Sequence, residues 1–329
     1  MLRQLLPFVA LCGLLAGCAS APSDDDAAGA ADPAGAGFPV SVEHAFGTTE
    51  IPAEPTRVVA LGVTDADPLL ALGVTPVATA AYTFYEDDGG LGPWARDLVE
   101  GEPPQVLTGD PNPEQLAALA PDLIVAVTAG IDQQTYDVLS AIAPVLARPA
   151  DTIDFGVPRD AQTRAVAAAL GRTEQGEELI DAAEQAFTDA VNAHPEFEGR
   201  TASTVLPFDG TYGAYTPVDT RGRFTADLGF TLPQTIADLD DGDSFYVEVS
   251  PERVGLLDGD VLVMLADEGP AQEQVDNDQV LAQVPVVADG RMIVPDTDTR
   301  GAMTYNSVLS APFALERLVP QIADAIGRS

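Results

Sequence analysis

The chain has no lysine, two cysteines, two histidines and one tryptophan in 329 residues, and each scarcity removes a class of function. Both cysteines, Cys12 and Cys18, lie near the start, so the rest of the chain holds no disulfide, thiolate nucleophile or cysteine metal site. His44 and His194 are far apart in sequence and form no His/carboxylate cluster of the kind a zinc or manganese site needs. His44, in the first strand, reads as structural. No serine sits in a G-x-S-x-G elbow and no glycine-rich loop is built for phosphate, so an enzyme, the reading from a different class, lacks its parts. Fifteen basic residues, all arginine, stand against 52 acidic ones for a net charge of −37. Nucleic acid and anionic headgroups are poor partners for such a surface. The apolar run Leu5 to Ala16 falls short of the about 20 residues that span a bilayer as a helix.

That run, after Met1-Leu2-Arg3, has the length of a signal-peptide core. It ends in Leu15-Ala16-Gly17-Cys18, which resembles the bacterial lipobox. The resemblance implies a signal peptide over 1–17 and a diacylated Cys18, giving an extracytoplasmic protein held to the cell membrane by lipid alone. Ordinary secretion after a small-residue cleavage site is the alternative. Residues 18–37 hold no large apolar side chain after Cys18 and read as a flexible tether of about 25 Å r.m.s. reach. Folding begins near Phe38, and the remaining chain is long enough to bury cores in two lobes.

From Arg57 onward short apolar runs alternate with helical patterns. Val58–Leu61, Val77–Ala80, Leu123–Val127 and Val145–Ala147 read as buried strands. Helices are expected over 65–72, 113–119, 136–142 and 160–170. Such alternation implies mostly parallel sheets covered on both faces. A long helix capped by Thr173 then runs to His194, with Leu179, Ala183, Phe187 and Val191 as its apolar stripe. Strands resume at Thr204–Leu206, Phe245–Val249, Val261–Leu265 and Met292–Val294, and a helix closes the chain from Leu309 to Ile326. The fold class is thus α/β, two Rossmann-like lobes with parallel sheets joined by one long helix. Residues 38–157 are the first lobe, 158–196 the helical segment and 197–329 the second lobe.

The halves echo each other. Asn112-Pro113-Glu114 leads to Asp122-Leu123-Ile124-Val125, and Ser250-Pro251-Glu252 leads to Asp260-Val261-Leu262-Val263 at a constant offset. Each is a cap, a Pro-Glu helix start, an aspartate and an apolar strand.

His44-Ala45-Phe46-Gly47 through Ile51-Pro52, Pro55–Val59 and Leu72–Val77 resemble the opening of the helical-backbone class of binding proteins for ABC importers. Asn112-Pro113-Glu114 with Pro121–Ile124, Ile142–Val145 and Leu309–Leu315 resemble later stretches of the same class, so the likeness covers 41–326. It implies a monomer with a largely preformed cleft between two lobes. The ligand would be a ferric siderophore, with cobalamin or haem as the runner-up, and the partner a permease dimer with its cytoplasmic ATPase. It implies no catalytic residue, no resident metal and no cofactor, iron entering only within the ligand. Glu114 and Glu252 match the glutamates that dock such receptors onto arginine pockets of the permease.

Loops after the strands should line the cleft. Tyr82, Phe84, Tyr85 and Trp94 follow one strand, with aromatic core packing as the alternative reading. Tyr212 and Tyr215 sit in a Gly-rich loop before Arg221 and Arg223, and Arg300 and Tyr305 flank Met303. Arginine suits bidentate bonds to ligand oxygens, though pairing with nearby aspartates is the open alternative. Hydroxamate receptors of this class carry an arginine just before the Asn-x-Glu motif, where this chain has Val106-Leu107-Thr108-Gly109-Asp110. A trianionic catecholate would call for a denser positive cluster, so a neutral or cationic hydroxamate complex is expected.

Overall fold

The computed structural model describes residues 37–80, 83–109, 112–266 and 269–328. Cys18, the signal segment and nearly all of the tether lie outside these residues, as does Tyr82.

A hairpin of β1 (Val40–His44) and β2 (Gly47–Ile51) opens the described chain. Buried His44 shares a 2.9 Å hydrogen bond with Thr49, whose hydroxyl donates to the Val145 carbonyl at 2.7 Å. The histidine therefore fastens the hairpin to the sheet, and burial lowers its pKa.

The first lobe is built on β3 (Val58–Ala60), β4 (Ala78–Ala80), β5 (Gln105–Leu107), β6 (Leu123–Ala126) and β7 (Val145–Ala147), all parallel, in the order β5-β4-β3-β6-β7. Side chains alternate between two apolar layers: Leu123 and Val125 enter one, Ile124 and Ala126 the other. Helices α1 (Ala66–Ala71), α2 (Pro113–Ala118) and α3 (Gln133–Ser140) follow β3, β5 and β6. The Asn112 side chain caps α2 by accepting from the Glu114 and Gln115 amides.

The bridging helices are α4 (Arg159–Ala169) and α5 (Thr173–Ala193). Thr173 is the first helical residue and not the cap. The cap position is Arg172, whose guanidinium bonds to the Leu72 carbonyl and to Glu54. Residues Gly176, Ile180, Ala183 and Phe187 form the buried stripe of α5, displacing Leu179 and Val191 to its flanks. Gly176 is needed there because a Cβ would lie 2.3 Å from that of Ala167 on α4. Leu179 packs on the first lobe's core and Phe187 enters the second's, so one helix of about 32 Å serves both.

The second sheet comprises β8 (Ala202–Phe208), β9 (Thr211–Tyr215), β10 (Tyr246–Val249), β11 (Val261–Met264) and β12 (Met292–Ile293), ordered β10-β9-β8-β11-β12. It is mixed: β9 runs antiparallel to both β8 and β10. Helix α6 (Thr220–Asp227), a helix over Thr297–Tyr305 and the C-terminal helix Ser310–Ile326 pack around it.

The echo in sequence has a structural cause. Strands β6 and β11 each take the fourth place in their sheet, beside β3 and β8. Asp122 accepts from the Thr56 and Arg57 amides at 2.8 Å, and Asp260 from the Thr201 amide at 2.8 Å and the Arg200 guanidinium at 2.7 Å. Each aspartate thus ties the foot of its strand to the chain entering the neighbouring one. The second motif forms a 3-10 run over Pro251–Leu257 where the first forms α2, and Glu114 and Glu252 are both exposed.

Candidate functional site

The strand order of the first lobe reverses between β3 and β6, and in open α/β sheets ligands settle beyond the carboxyl ends of strands at such a point. Val63 and Thr64 follow β3, Thr128 follows β6, and these residues line a cavity of about 280 Å³ between the lobes. Phe155 and Val157, with Arg159 and Gln162 of α4, complete this wall. The second lobe supplies Tyr215, Asp219, Thr220, Arg221, Phe245, Tyr246 and the Thr304–Asn306 turn.

Asp65, fully buried behind the first wall, fixes its geometry. Its carboxylate accepts from the Gly62 amide at 3.0 Å, the Thr128 hydroxyl at 2.8 Å and Gln162 Nε2 at 2.9 Å. Two loops and α4 are thereby held in register. Desolvation raises the Asp65 pKa, against the lowering effect of these bonds.

The cleft's two arginines are already paired. Arg221 sets Nε and Nη2 on the two oxygens of Asp219 at 2.7 and 2.8 Å and lies 3.9 Å over the Tyr215 ring centroid. Arg159 pairs with Asp227 at 2.7 Å, donates to Asn306 Oδ1 at 3.2 Å and stacks on Phe187. Both guanidiniums are therefore charge-compensated before a ligand arrives.

Of the ligand residues expected from sequence, Tyr215, Arg221 and Tyr305 line this cavity. Trp94 and Tyr85 do not; they stand edge-on to Tyr305, with ring centroids 5.1 and 6.0 Å away, in an aromatic cluster linking the lobes. The Tyr85 and Trp94 rings pack against each other and Tyr305 instead of lining the cavity. Phe84 contributes backbone to a 3-10 turn over Thr83–Asp88, and nothing is described of its side chain. Tyr212 lies in β9 and not in a loop. Three residues from Tyr215, it faces the opposite side of the sheet and donates to Asp278 at 2.8 Å. Arg223 binds the Gly156 and Val218 carbonyls, and Arg300 donates to the Ala266 carbonyl at 2.8 Å; both hold backbone together outside the cavity lining. Sequence reasoning missed Arg159, although arginine's scarcity could have flagged it. Gln162, Thr128 and Phe155 left no comparable signal.

A second contact joins the lobes below the cavity. Buried Asp67 accepts from Trp94 Nε1 at 2.8 Å and from the Ser307 hydroxyl of the second lobe. Desolvation raises its carboxyl to about 7, although both bonds favour the charged form. In the unfolded chain the same group ionises near 3.8. The cost of ionising it in the folded state is thus nil below pH 3.8 and complete above 7, on the order of 4 kcal/mol at about 1.36 kcal/mol per unit. Stability is lost as pH rises through this window. Asp67→Asn removes the cost, so its melting temperature should match wild type at pH 4 and exceed it by several degrees at pH 8. Equal differences at both values would rule this origin out.

Among the described residues no group of three His, Cys, Asp or Glu is placed to hold a metal, and no helix is long and apolar enough to cross a membrane. A family model described as "Periplasmic binding protein" matches residues 58–299. "Probable siderophore-binding lipoprotein YfiY" of Bacillus subtilis is 31% identical over 229 residues, 68% of this chain and 67% of that protein. A periplasmic solute binding protein from Mycobacterium smegmatis superposes with a TM-score of 0.78 at 32% identity, covering 88% of this chain and 99% of the other. PiaA of Streptococcus pneumoniae, solved in complex with ferrichrome, gives 0.73 at 26% identity, with 88% and 99% covered.

Proposed function

The chain belongs to the periplasmic binding protein family, and from that premise we propose that it is the extracytoplasmic receptor of an ABC importer, capturing a ferric hydroxamate siderophore in the cleft between its lobes. The observation that carries the ligand class is the prior pairing of Arg159 with Asp227 and of Arg221 with Asp219. A cleft whose cations are already compensated offers little to a trianionic catecholate complex, and it suits a neutral or singly cationic hydroxamate. The ferrichrome held by PiaA is such a neutral complex. At about 280 Å³ the cavity sits at the small end of ligand sites, so a bulky complex keeps part of its surface in water.

The function is capture and not turnover. The residues around the cavity hold and orient: Thr128 is fixed by Asp65, and Arg159 and Arg221 by Asp227 and Asp219. Iron arrives and leaves inside its chelate. Cys18 supplies the lipid anchor, and Glu114 and Glu252 present a matched carboxylate on each lobe to a two-subunit permease served by a cytoplasmic ATPase. The receptor acts as a monomer.

Ferrioxamine B should quench Trp94 emission with sub-micromolar affinity, about −8 kcal/mol or tighter, while the iron-free chelator binds far more weakly. Parallel titrations with ferric enterobactin, haem and cobalamin complete the test. Binding of haem or cobalamin with no response to any ferric siderophore would replace the ligand class.

A further inference from the structure

We propose that Phe155 is the specificity-determining contact at the cleft mouth, an apolar plate on which the hydrocarbon linkers of the ligand rest. The inference rests on the siderophore reading above and extends it to a residue and a part of the ligand.

Three observations meet at this residue. Its φ of 61° is left-handed, a conformation that costs a bulky side chain energy and is tolerated where the surroundings impose it. Its side chain is 62% exposed although it is among the most apolar in the chain, and it lines the interlobe cavity. A phenylalanine placed there for folding alone would be expected to bury its ring, which is where an aromatic side chain stabilises a core. Here both the strain and the exposure are retained.

The ring is held in place. Gly130, just beyond β6, has no side chain under it, and a Cβ there would lie 2.3 Å from the Phe155 Cζ. The plate therefore rests directly on glycine backbone. Within the same loop Ile153 is also exposed, and a Cβ at Gly156 would lie 2.6 Å from its Cγ1 and 3.5 Å from Phe245 Cε1 of the second lobe. Phe245 and Tyr246 line the same cavity, and Tyr246 is 41% exposed. Each lobe thus contributes exposed apolar surface to the rim, above a floor of paired arginines and hydroxyls. That division suits a chelate whose polar iron-binding groups point inward and whose polymethylene chains remain at the opening.

The test compares wild type, Phe155→Gly and Phe155→Leu with ferrioxamine B as the probe, reading affinity by fluorescence and folding by thermal melting. Glycine accepts the left-handed backbone without strain, so Phe155→Gly should melt no lower than wild type. Its affinity should nonetheless fall roughly tenfold, with Phe155→Leu in between. If wild type binds and Phe155→Gly binds within about twofold of it, the inference is overturned while the siderophore reading stands. If wild type fails to bind any ferric siderophore, that reading falls and this one with it.

Discussion

Glu114→Ala combined with Glu252→Ala should abolish ligand uptake by cells while leaving the purified receptor's ligand affinity and melting temperature almost unchanged. The two carboxylates are exposed, at the second position of short helical turns that feed β6 and β11. Those strands hold the same place in their sheets and are anchored by the same aspartate contact. The lobes therefore present like groups in like settings, which fits a partner made of two similar subunits. Within the receptor, each glutamate gains only a few tenths of a kcal/mol from its position at a helix start, and surface substitutions of this kind usually stay within about 0.5 kcal/mol. Across an interface, truncating one member of a desolvated charge pair costs about 2–5 kcal/mol, roughly 30-fold to several thousand-fold in docking affinity per site. The measurement is radiolabelled iron uptake in a receptor-deleted strain expressing the variant, beside titration of the pure protein. Uptake at the wild-type rate would take these residues out of delivery, and lost ligand binding would place them in capture.

Asp219→Asn should change which charge of ligand the cleft accepts. Asp219 is buried, neutralises Arg221 through two hydrogen bonds, and caps α6 by accepting from the Arg221 amide at 2.8 Å. Asparagine is as good a cap as aspartate, so α6 should survive. What disappears is the negative charge. Arg221, on its Tyr215 face at the cavity, would then meet an anionic complex without Asp219's compensating charge, and a charge-assisted bond of about 1.5–3 kcal/mol corresponds to roughly 10- to 100-fold in affinity. Ferric enterobactin should gain by that factor, and cationic ferrioxamine B should lose affinity. Equal affinities before and after would mean that Asp219 sets Arg221's position and not the charge preference of the cleft.

How much of this was legible before the structure follows from which interactions are local. Four of the five strands in the first lobe's sheet were readable because burial leaves runs such as Leu123-Ile124-Val125-Ala126 with no polar interruption, whereas edge strand β5, with Gln105 exposed, left no such run. Strand β9 was not, since Gly210, Gly213 and two tyrosines look like a loop until β8 and β10 supply partners on both sides. The stripe of α5 kept Ala183 and Phe187 but took Gly176 and Ile180 in place of Leu179 and Val191, because Gly176, invisible to a count of large apolar side chains, packs tightly against Ala167 of α4. For the cleft, scarcity of arginine drew attention to Arg221, which lines the cavity, and equally to Arg223 and Arg300, which do not; alternation of side chains along β9 explains why Tyr215 reaches the cavity and Tyr212 does not. The aromatic cluster of Tyr85, Trp94 and Tyr305 joins residues more than two hundred positions apart, and no local pattern announces that meeting.

The placement of the C-terminal helix sets an order on how the chain acquires its form. All five strands of the first sheet lie between Val58 and Ala147, and Val166, Ala167 and Leu170, in α4 and just after it, cover one of its faces, so that layer and most of its cover precede the second lobe in the chain. The second lobe has no such independence. Leu315, Leu318 and Ile322 of the last helix belong to the same apolar cluster as Val261 and Val263 of β11 and Phe187 of α5. Until those final residues appear, one face of the second sheet lacks a large part of its cover. The Phe187 flank of the helix that spans the lobes is therefore completed only by the last helix of the chain.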